Sequence, residues 1–161
     1  MHKLLLSLLL ALLLNVASQL AVAETAGSAN FVLKDIAGVK HQLANYKGKW
    51  VLVNYWATWC PPCLEEVPDL VSLFDRRRKK DLMIIGVVFD YESVAAVKEY
   101  VDDMLISYPI VLGDDTVIAQ IGSADVMPTT FIYNPQGELV KIKRGLITKP
   151  YLEKIIGHNR P

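Results

Sequence analysis

The sequence predicts a single α/β domain in which a mixed β-sheet carries helices on both faces. Short apolar runs typical of buried strands alternate with segments of helical periodicity, and a pair of hairpin strands precedes the last helical segment. The chain has 161 residues, enough for one ordinary hydrophobic core. Because no internal repeat or long linker divides the sequence, we expect one folded unit.

The charge composition excludes several classes of protein. Lys plus Arg and Asp plus Glu both number 17, the formal net charge is zero, and charged residues make up 21% of the chain. A disordered acidic tail would be more charged, and a nucleic-acid-binding domain would carry a cationic excess. We therefore expect a folded protein that does not bind nucleic acid.

Residues 1–23 have the pattern of a cleaved signal peptide. Lys3 precedes an apolar run from Leu4 to Leu14, and Ala21-Val22-Ala23 supplies a small-x-small cleavage site. The run is about half of the roughly 20 apolar residues that a spanning helix needs. The sequence thus predicts a signal peptide over 1–23, a domain over 24–161, and a periplasmic or otherwise extracytoplasmic location. A retained N-terminal anchor is the alternative.

The strands and helices follow from periodicity and from the residues that flank each run. Trp50–Trp56 is a compact run of β-forming residues and predicts a buried central strand. Ser93 is a candidate N-cap for a helix that reaches Leu105. The predicted strands cover 31–33, about 41–43, 50–56, 82–89, 110–112, 129–133 and 138–143. The predicted helices follow Cys60 and cover about 94–105, 116–121 and 149–156, and 134–137 forms the hairpin turn.

Cys60 and Cys63 are the only cysteines, and their spacing favours redox chemistry. A disulfide between them closes a very small loop and adds little stability, so a structural staple is the weaker interpretation. A closed zinc site would need four ligands, and the chain has no second cysteine pair. Pro61 suits the first position of a helix, which makes Cys60 its N-cap. A thiolate there is stabilised by the helix dipole, so we expect Cys60 to attack and the more enclosed Cys63 to resolve.

The string Trp59-Cys60-Pro61-Pro62-Cys63, with Pro68 and Met127-Pro128-Thr129 further on, resembles the thioredoxin superfamily. Within it, the chain is similar to the exported TlpA/ResA-like (DsbE-like) thiol-disulfide oxidoreductases, over nearly all of residues 24–161. The resemblance implies a thioredoxin-like fold with the central insertion of that group. It also implies a cis peptide bond before Pro128, which faces the dithiol. The substrate-binding residues that the resemblance implies are Trp59, Pro61, Met127, Pro128 and Thr129.

The position six residues before the first cysteine departs from plain thioredoxin. Thioredoxin has a buried Asp there, and this chain has Asn54, which cannot take a proton. In the TlpA/ResA-like group a Glu six residues after the first cysteine supplies the carboxylate, and here that residue is Glu66. Glu66 lies three residues after Cys63 and shares its helix face, so we expect a buried general acid or base with a raised pKa. A surface carboxylate is the alternative, and Glu65 should face solvent.

The function implied is that of an enzyme that reduces protein disulfides through Cys60, Cys63 and Glu66 without a cofactor or a metal. The implied partners are disulfide-containing proteins, among them apocytochrome c, and a membrane thiol reductant as electron donor; we expect a monomer. Three alternatives remain: a dithiol oxidase or isomerase of the same fold, a peroxiredoxin-type peroxidase, and a copper-binding metallochaperone. The peroxidase motif has Thr three residues before its cysteine, where this chain has Ala57. The metallochaperone would need His41 or His158 near the dithiol, and we expect both on the surface.

Two further features carry weaker predictions. Trp56 and Trp59 are interpreted as packing residues, and Trp59 as also lining the substrate groove. The run Arg76-Arg77-Arg78-Lys79-Lys80 ends the first long helix, where cations suit the helix dipole. It is interpreted as a solvated helix end, with contact to a partner or an anionic surface as the alternative.

Overall fold

The computed structural model describes residues 30–157. The predicted signal peptide, most of the segment 24–30 and His158 lie outside them. The strands are β1 (Val32–Lys34), β2 (Lys40–Gln42), β3 (Trp50–Trp56), β4 (Leu82–Val88), β5 (Ile110–Leu112), β6 (Thr129–Tyr133) and β7 (Leu139–Arg144). The helices are α1 (Pro61–Arg77), α2 (Val94–Asp103), α3 (Asp115–Ile121) and α4 (Lys149–Gly157), and a short 3-10 helix spans Leu43–Tyr46.

The main sheet has five strands in the order β5-β4-β3-β6-β7. β3 pairs in parallel with β4 and antiparallel with β6, so the sheet is mixed as predicted. Every residue of β3 and β4 is buried, which requires cover on both faces of the sheet. The segment between β4 and β6 holds α2, β5 and α3, and it adds β5 in parallel at the edge of the sheet. This segment is the central insertion expected from the resemblance.

Local sequence signals account for the helix boundaries. The Ser93 hydroxyl accepts a hydrogen bond from the Ala96 N–H at 3.1 Å, which confirms the predicted N-cap of α2. α2 ends at Asp103, two residues before the predicted end, and Leu105 has a φ of 52°, a left-handed conformation that cannot continue the helix. The predicted hairpin turn is confirmed, and Gly137 supplies its positive φ of 84°.

β1 and β2 form a separate antiparallel hairpin that is attached to the main sheet through Asp35. Asp35 bridges Val111 of β5, and the Ile36 N–H donates to the Ile110 carbonyl at 2.8 Å. The structure corrects the prediction for His41, which is buried rather than on the surface. Its ring nitrogens contact Asp35 at 2.8 Å and the Tyr46 hydroxyl at 2.6 Å, so the histidine links the hairpin to the 3-10 helix that follows it. Within residues 30–157, no helix is long and apolar enough to cross a membrane.

Candidate active site

The two cysteines lie where the central strand passes into the first helix. β3 ends at Trp56, and Cys60 takes the N-cap position of α1 with Pro61 as the first helical residue, as predicted. A disulfide bond joins Cys60 to Cys63. Cys60 keeps 4% of its surface exposed and Cys63 keeps none. An incoming thiol or disulfide therefore reaches Cys60 first, which fits the predicted attacking and resolving roles.

The first turn of α1 offers few hydrogen-bond donors to Cys60. Pro61 and Pro62 have no N–H, so the first two helical positions cannot donate. The N–H groups of Cys63 and Leu64 both point to the Cys60 carbonyl oxygen, at 3.0 and 3.2 Å. The sulfur of Cys60 thus has fewer backbone N–H donors available than the sulfur of a cysteine at a proline-free helix N-terminus would have.

A groove of about 400 Å³ runs beside Cys60. The indole of Trp59 is 60% exposed, and its N–H donates to the Asp90 carbonyl at 3.0 Å. Trp59 is therefore not a core packing residue, whereas Trp56 is buried as expected; Trp59 forms one wall of the groove. The lining comprises Trp59, Cys60, Pro61, Pro62, Ala124, Asp125, Val126 and Met127. Most of it is apolar, which suits a peptide segment laid across the dithiol.

The opposite wall of the groove comes from the segment before β6. The Met127–Pro128 peptide bond is cis, as the resemblance implied, and the Pro128 carbonyl accepts from the Gly145 N–H at 2.8 Å. Met127 lines the groove and is partly exposed. Thr129 is fully buried, and its hydroxyl donates to the Val126 carbonyl at 2.8 Å. The Thr129 side chain therefore supports the groove wall from behind and does not face a substrate.

Glu66 is buried in α1 three residues after Cys63, with 1% of its surface exposed. The Asn54 side-chain amide donates to Glu66 Oε1 at 2.7 Å, and the Ile147 backbone N–H donates to Oε2 at 2.8 Å. Glu65, the neighbouring carboxylate, is exposed. The structure thus excludes the surface alternative for Glu66 and confirms the expectation for Glu65.

Burial raises the pKa of Glu66 from about 4.5 to about 7. Desolvation is the main cause, since it disfavours the charged form, and the donors from Ile147 and Asn54 and the charge of Lys143 oppose it. A carboxyl group with this pKa exchanges a proton near neutrality, which suits a general acid or base. It lies one helical turn from Cys63, the fully buried cysteine of the pair.

Several members of this network were not predicted from the sequence. The antiparallel register of β3 and β6 places Thr130 opposite Asn54, whose amide also donates to the Thr130 hydroxyl at 3.0 Å. Aligning the two predicted strands in register would have found this pair. Ile147 contributes through its backbone, so its side chain gives no sequence signal. Lys143 lies in β7, and its amine donates to the Arg144 carbonyl at 2.6 Å beside the loop that carries Ile147.

No group of three or more His, Cys, Asp or Glu side chains that could hold a metal ion occurs within residues 30–157. The ring nitrogens of His41 are engaged by Asp35 and Tyr46, as described above. The structure gives no support to His41 as a metal ligand beside the dithiol.

Three features define a thioredoxin-like dithiol protein: a mixed sheet in the order described, a Cys-x-x-Cys pair at the start of the helix after its central strand, and a cis-proline directly after the groove residue Met127. The chain belongs to the AhpC/TSA family, which residues 26–142 match, and to its ResA-like thiol-disulfide oxidoreductases. Buried Ala57 stands where the peroxidase motif has Thr.

Relatives and solved structures agree on this class. The thiol-disulfide oxidoreductase ResA of Bacillus subtilis is 30% identical over 141 residues, which cover 88% of this chain and 78% of that protein. ResA of Bacillus cereus is 36% identical over 124 residues, covering 77% of this chain and 71% of the relative. The crystal structure of a thioredoxin-family thiol:disulfide interchange protein from Chlorobium tepidum matches with a TM-score of 0.73 and 27% identity, covering 80% of this chain and 92% of that one. The protein is accordingly a thiol-disulfide oxidoreductase.

Proposed function

We propose that this oxidoreductase works outside the cytoplasm and mainly reduces disulfides of other exported proteins. The observation that carries the proposal is the buried carboxyl of Glu66, one turn from Cys63, with a pKa of about 7. A purely structural carboxyl could have been exposed or replaced by an apolar side chain without this desolvation cost. Its position instead suits proton transfer to and from the enclosed thiol.

The reaction follows from the different exposure of the two thiols. The Cys60 thiolate attacks one sulfur of a substrate disulfide, the substrate S–S bond breaks, and the released substrate sulfur takes up a proton. Glu66 then accepts the proton of Cys63, and the Cys63 thiolate attacks the Cys60 sulfur of the mixed disulfide. The second substrate sulfur leaves as a thiolate and takes the proton from Glu66, and Cys60–Cys63 ends oxidised after the transfer of two electrons.

The reducing direction is supported by the two prolines after Cys60. A dithiol becomes a strong oxidant when its reduced, thiolate form is strongly stabilised. Pro61 and Pro62 remove two backbone donors, and the next two N–H groups are directed to the Cys60 carbonyl. Because few hydrogen bonds stabilise the Cys60 thiolate, the reduction potential of the Cys60–Cys63 pair should be low. A low potential favours electron flow toward substrates.

The location and the partners rest on the sequence. The signal-peptide pattern over 1–23 supports export. An oxidising compartment has no reducing thiol pool, so turnover needs a donor, and a membrane thiol reductant is the class that fits. The apolar groove accepts an extended cysteine-containing segment, and the haem-binding cysteines of apocytochrome c are the substrate class we propose first.

The first experiment measures the reduction potential of the Cys60–Cys63 pair. Tryptophan fluorescence against a glutathione or dithiothreitol buffer reports the equilibrium, because Trp59 directly precedes Cys60 and lines the groove with it. We expect a value of about −250 mV or lower, near that of thioredoxin. A value around −120 mV would refute the reducing direction and favour the dithiol oxidase with the same residues.

The role of Glu66 is tested separately by single-turnover reduction of a fluorescent disulfide peptide across pH 5–9. The decay of the mixed disulfide should quicken through about pH 7 in the wild type, as Glu66 ionises. In Glu66→Gln the rise should move toward the ordinary thiol range of about 8.5 or above, with the rate at neutral pH lower by on the order of a hundredfold. Glu65→Gln is the matched control and should keep the wild-type profile. An unchanged pH profile in Glu66→Gln would show that Glu66 does not take part in proton transfer during decay of the mixed disulfide.

A further inference from the structure

The end of the domain opposite the dithiol is strongly cationic. α1 begins at Pro61, directly after Cys60, and has 17 residues, so its last turn lies about 25 Å from the cysteine pair. From there the chain turns into β4, whose first residue pairs with Trp50, the first residue of β3. The basic run therefore lies at the amino ends of the two central strands. We call this surface the cationic end; its basic residues are Lys47, Lys49, Arg76, Arg77, Arg78, Lys79 and Lys80.

Most of these cations face solvent without a matching acid. Arg76, Arg78, Lys79 and Lys80 are all exposed, as is Lys47. The acidic residues at the same end are fewer: Asp75, Asp81, Glu138 and Glu153. Asp81 is engaged in an ion pair with Arg77, where Arg77 Nε lies 2.9 Å from the carboxylate, and Glu138 accepts from Asn134. Since the whole chain has a formal net charge of zero, the excess of positive charge is confined to the cationic end and is not a general property of the surface.

A groove of about 660 Å³ opens within the cationic end, between the last turns of α1 and α4. Arg76, Arg77 and Lys80 line it together with Asp81 and Glu153. Charged side chains make up most of the groove lining. Flexible cations around an open polar groove suit phosphate groups on a broad surface better than a shaped protein interface.

The N-terminal segment joins the domain at this same end. The Phe31 ring packs edge-on against Tyr133, with the ring centroids 5.6 Å apart, and Tyr133 pairs with Val51 near the start of β3. The apolar run Leu4–Leu14 therefore precedes a chain that enters the domain beside the cationic end. Between Leu14 and Asn30 lie 15 residues, which reach at most about 50 Å when extended. If the apolar run is retained in a membrane, a connection of this length keeps the domain near the bilayer without fixing its orientation.

We propose that the cationic end docks the domain on an anionic lipid bilayer and holds the dithiol on the far side, facing the aqueous phase. Basic residues near an anionic bilayer are attracted individually, and several together act as a second membrane signal beside an apolar segment. The surface works in this way whether residues 1–23 are retained or removed. The inference rests on charge and topology alone, so it stands or falls independently of the reducing direction.

The test uses the full chain with the Cys60–Cys63 pair oxidised and one added thiol for a fluorophore. Gln136→Cys places the probe in the turn at the cationic end, and Ser123→Cys places it near the groove beside Cys60; both positions are exposed. Vesicles contain phosphatidylcholine alone or with about 30% phosphatidylglycerol, plus a headgroup-spin-labelled lipid as quencher. We expect quenching at position 136 and not at 123 on the anionic vesicles, and its loss in about 0.5 M salt because exposed charges are then screened.

Two variants with equal loss of charge complete the test. R76Q/R78Q/K79Q/K80Q removes four cations from the cationic end, and K34Q/K40Q/K98Q/K141Q removes four exposed cations elsewhere. The first should weaken binding to anionic vesicles by on the order of a hundredfold or more, and the second should keep the quenching pattern. Reduction of a soluble disulfide peptide should match the wild type in both, which shows that they are folded. Equal quenching at positions 123 and 136 would overturn the proposal. No quenching at position 136 would also overturn it and would leave an acidic protein as the alternative partner of this surface.

Discussion

Replacing Glu66 by glutamine should change how the stability of the oxidised protein depends on pH. In the folded state the pKa of Glu66 is about 7, and in the unfolded chain it returns to its ordinary value of about 4.5. The folded protein therefore binds the proton more tightly than the unfolded chain does. The stabilisation from this group is fully present below pH 4.5 and is lost as the pH rises through about 7.

The magnitude follows from the size of the shift. One pKa unit corresponds to about 1.4 kcal/mol, so raising the pH from about 4.5 to 8 should cost the wild type roughly 3 kcal/mol that the glutamine variant does not lose. In that variant an NH₂ group replaces one of the two oxygens that accept from Asn54 and from the Ile147 N–H. Since this group cannot accept, one of the two donors loses its partner, which adds a penalty. That penalty does not depend on pH, so it cancels when the pH slopes of the two proteins are compared.

Urea unfolding of the oxidised proteins at intervals between pH 4.5 and 8 measures the difference. Asp35 and Asp81 have lowered pKa values because of hydrogen bonds from His41 and Arg77, so they act below about pH 4 and outside this window. Glu65→Gln should follow the wild-type slope, because that side chain is exposed. A difference between wild type and Glu66→Gln that stays constant within about 0.5 kcal/mol would show that Glu66 is not desolvated as described.

Three further outcomes are expected. Cys63→Ser should accumulate a mixed disulfide with a substrate peptide, visible by mass spectrometry, and Cys60→Ser should give none; the reverse result would exchange the two roles. Gly86→Ala should lower the free energy of unfolding by about 1–3 kcal/mol in urea titrations, because the added Cβ would lie 2.7 Å from Ile110 Cδ1 in the packed core. Trp59→Ala should alter stability by less than about 0.5 kcal/mol, since the indole is mostly exposed, but should raise the KM for peptide substrates; an unchanged KM would remove Trp59 from the groove.

The strands and helices were predictable because their signals are local. β3 and β6 have the predicted bounds, since compact β-rich runs ended by turn residues define a buried strand. The placement of Cys60 at the start of α1 was predictable for the same reason, because Pro61 marks a first helical position. The end of α2 was not predictable. Leu105 adopts a left-handed conformation there, and the glycine that usually signals such a conformation is absent from that position.

Side-chain environments set by distant segments were harder to predict. His41 was expected on the surface, yet Asp35 and Tyr46 enclose it in a contact that only the folded hairpin creates. Trp59 was expected to pack and also to line the groove; it does line the groove, but its indole is mostly exposed and donates to the Asp90 carbonyl. In both cases residue type alone was a poor guide, because burial depends on which loop lies over the side chain.

By itself, the sequence determined the class of fold and the dithiol, because these follow from residue types and short spacings. It also predicted Cys60 as the attacking thiol, and the resemblance to the TlpA/ResA-like group indicated the carboxyl of Glu66. Only the tertiary structure decided how that carboxyl behaves. Burial raises its pKa, and hydrogen-bond donors on β3 and on the loop before α4, which are 12 and 81 residues away along the chain, oppose that rise. Desolvation and hydrogen bonding depend on three-dimensional proximity, and periodicity within a segment carries no information about it.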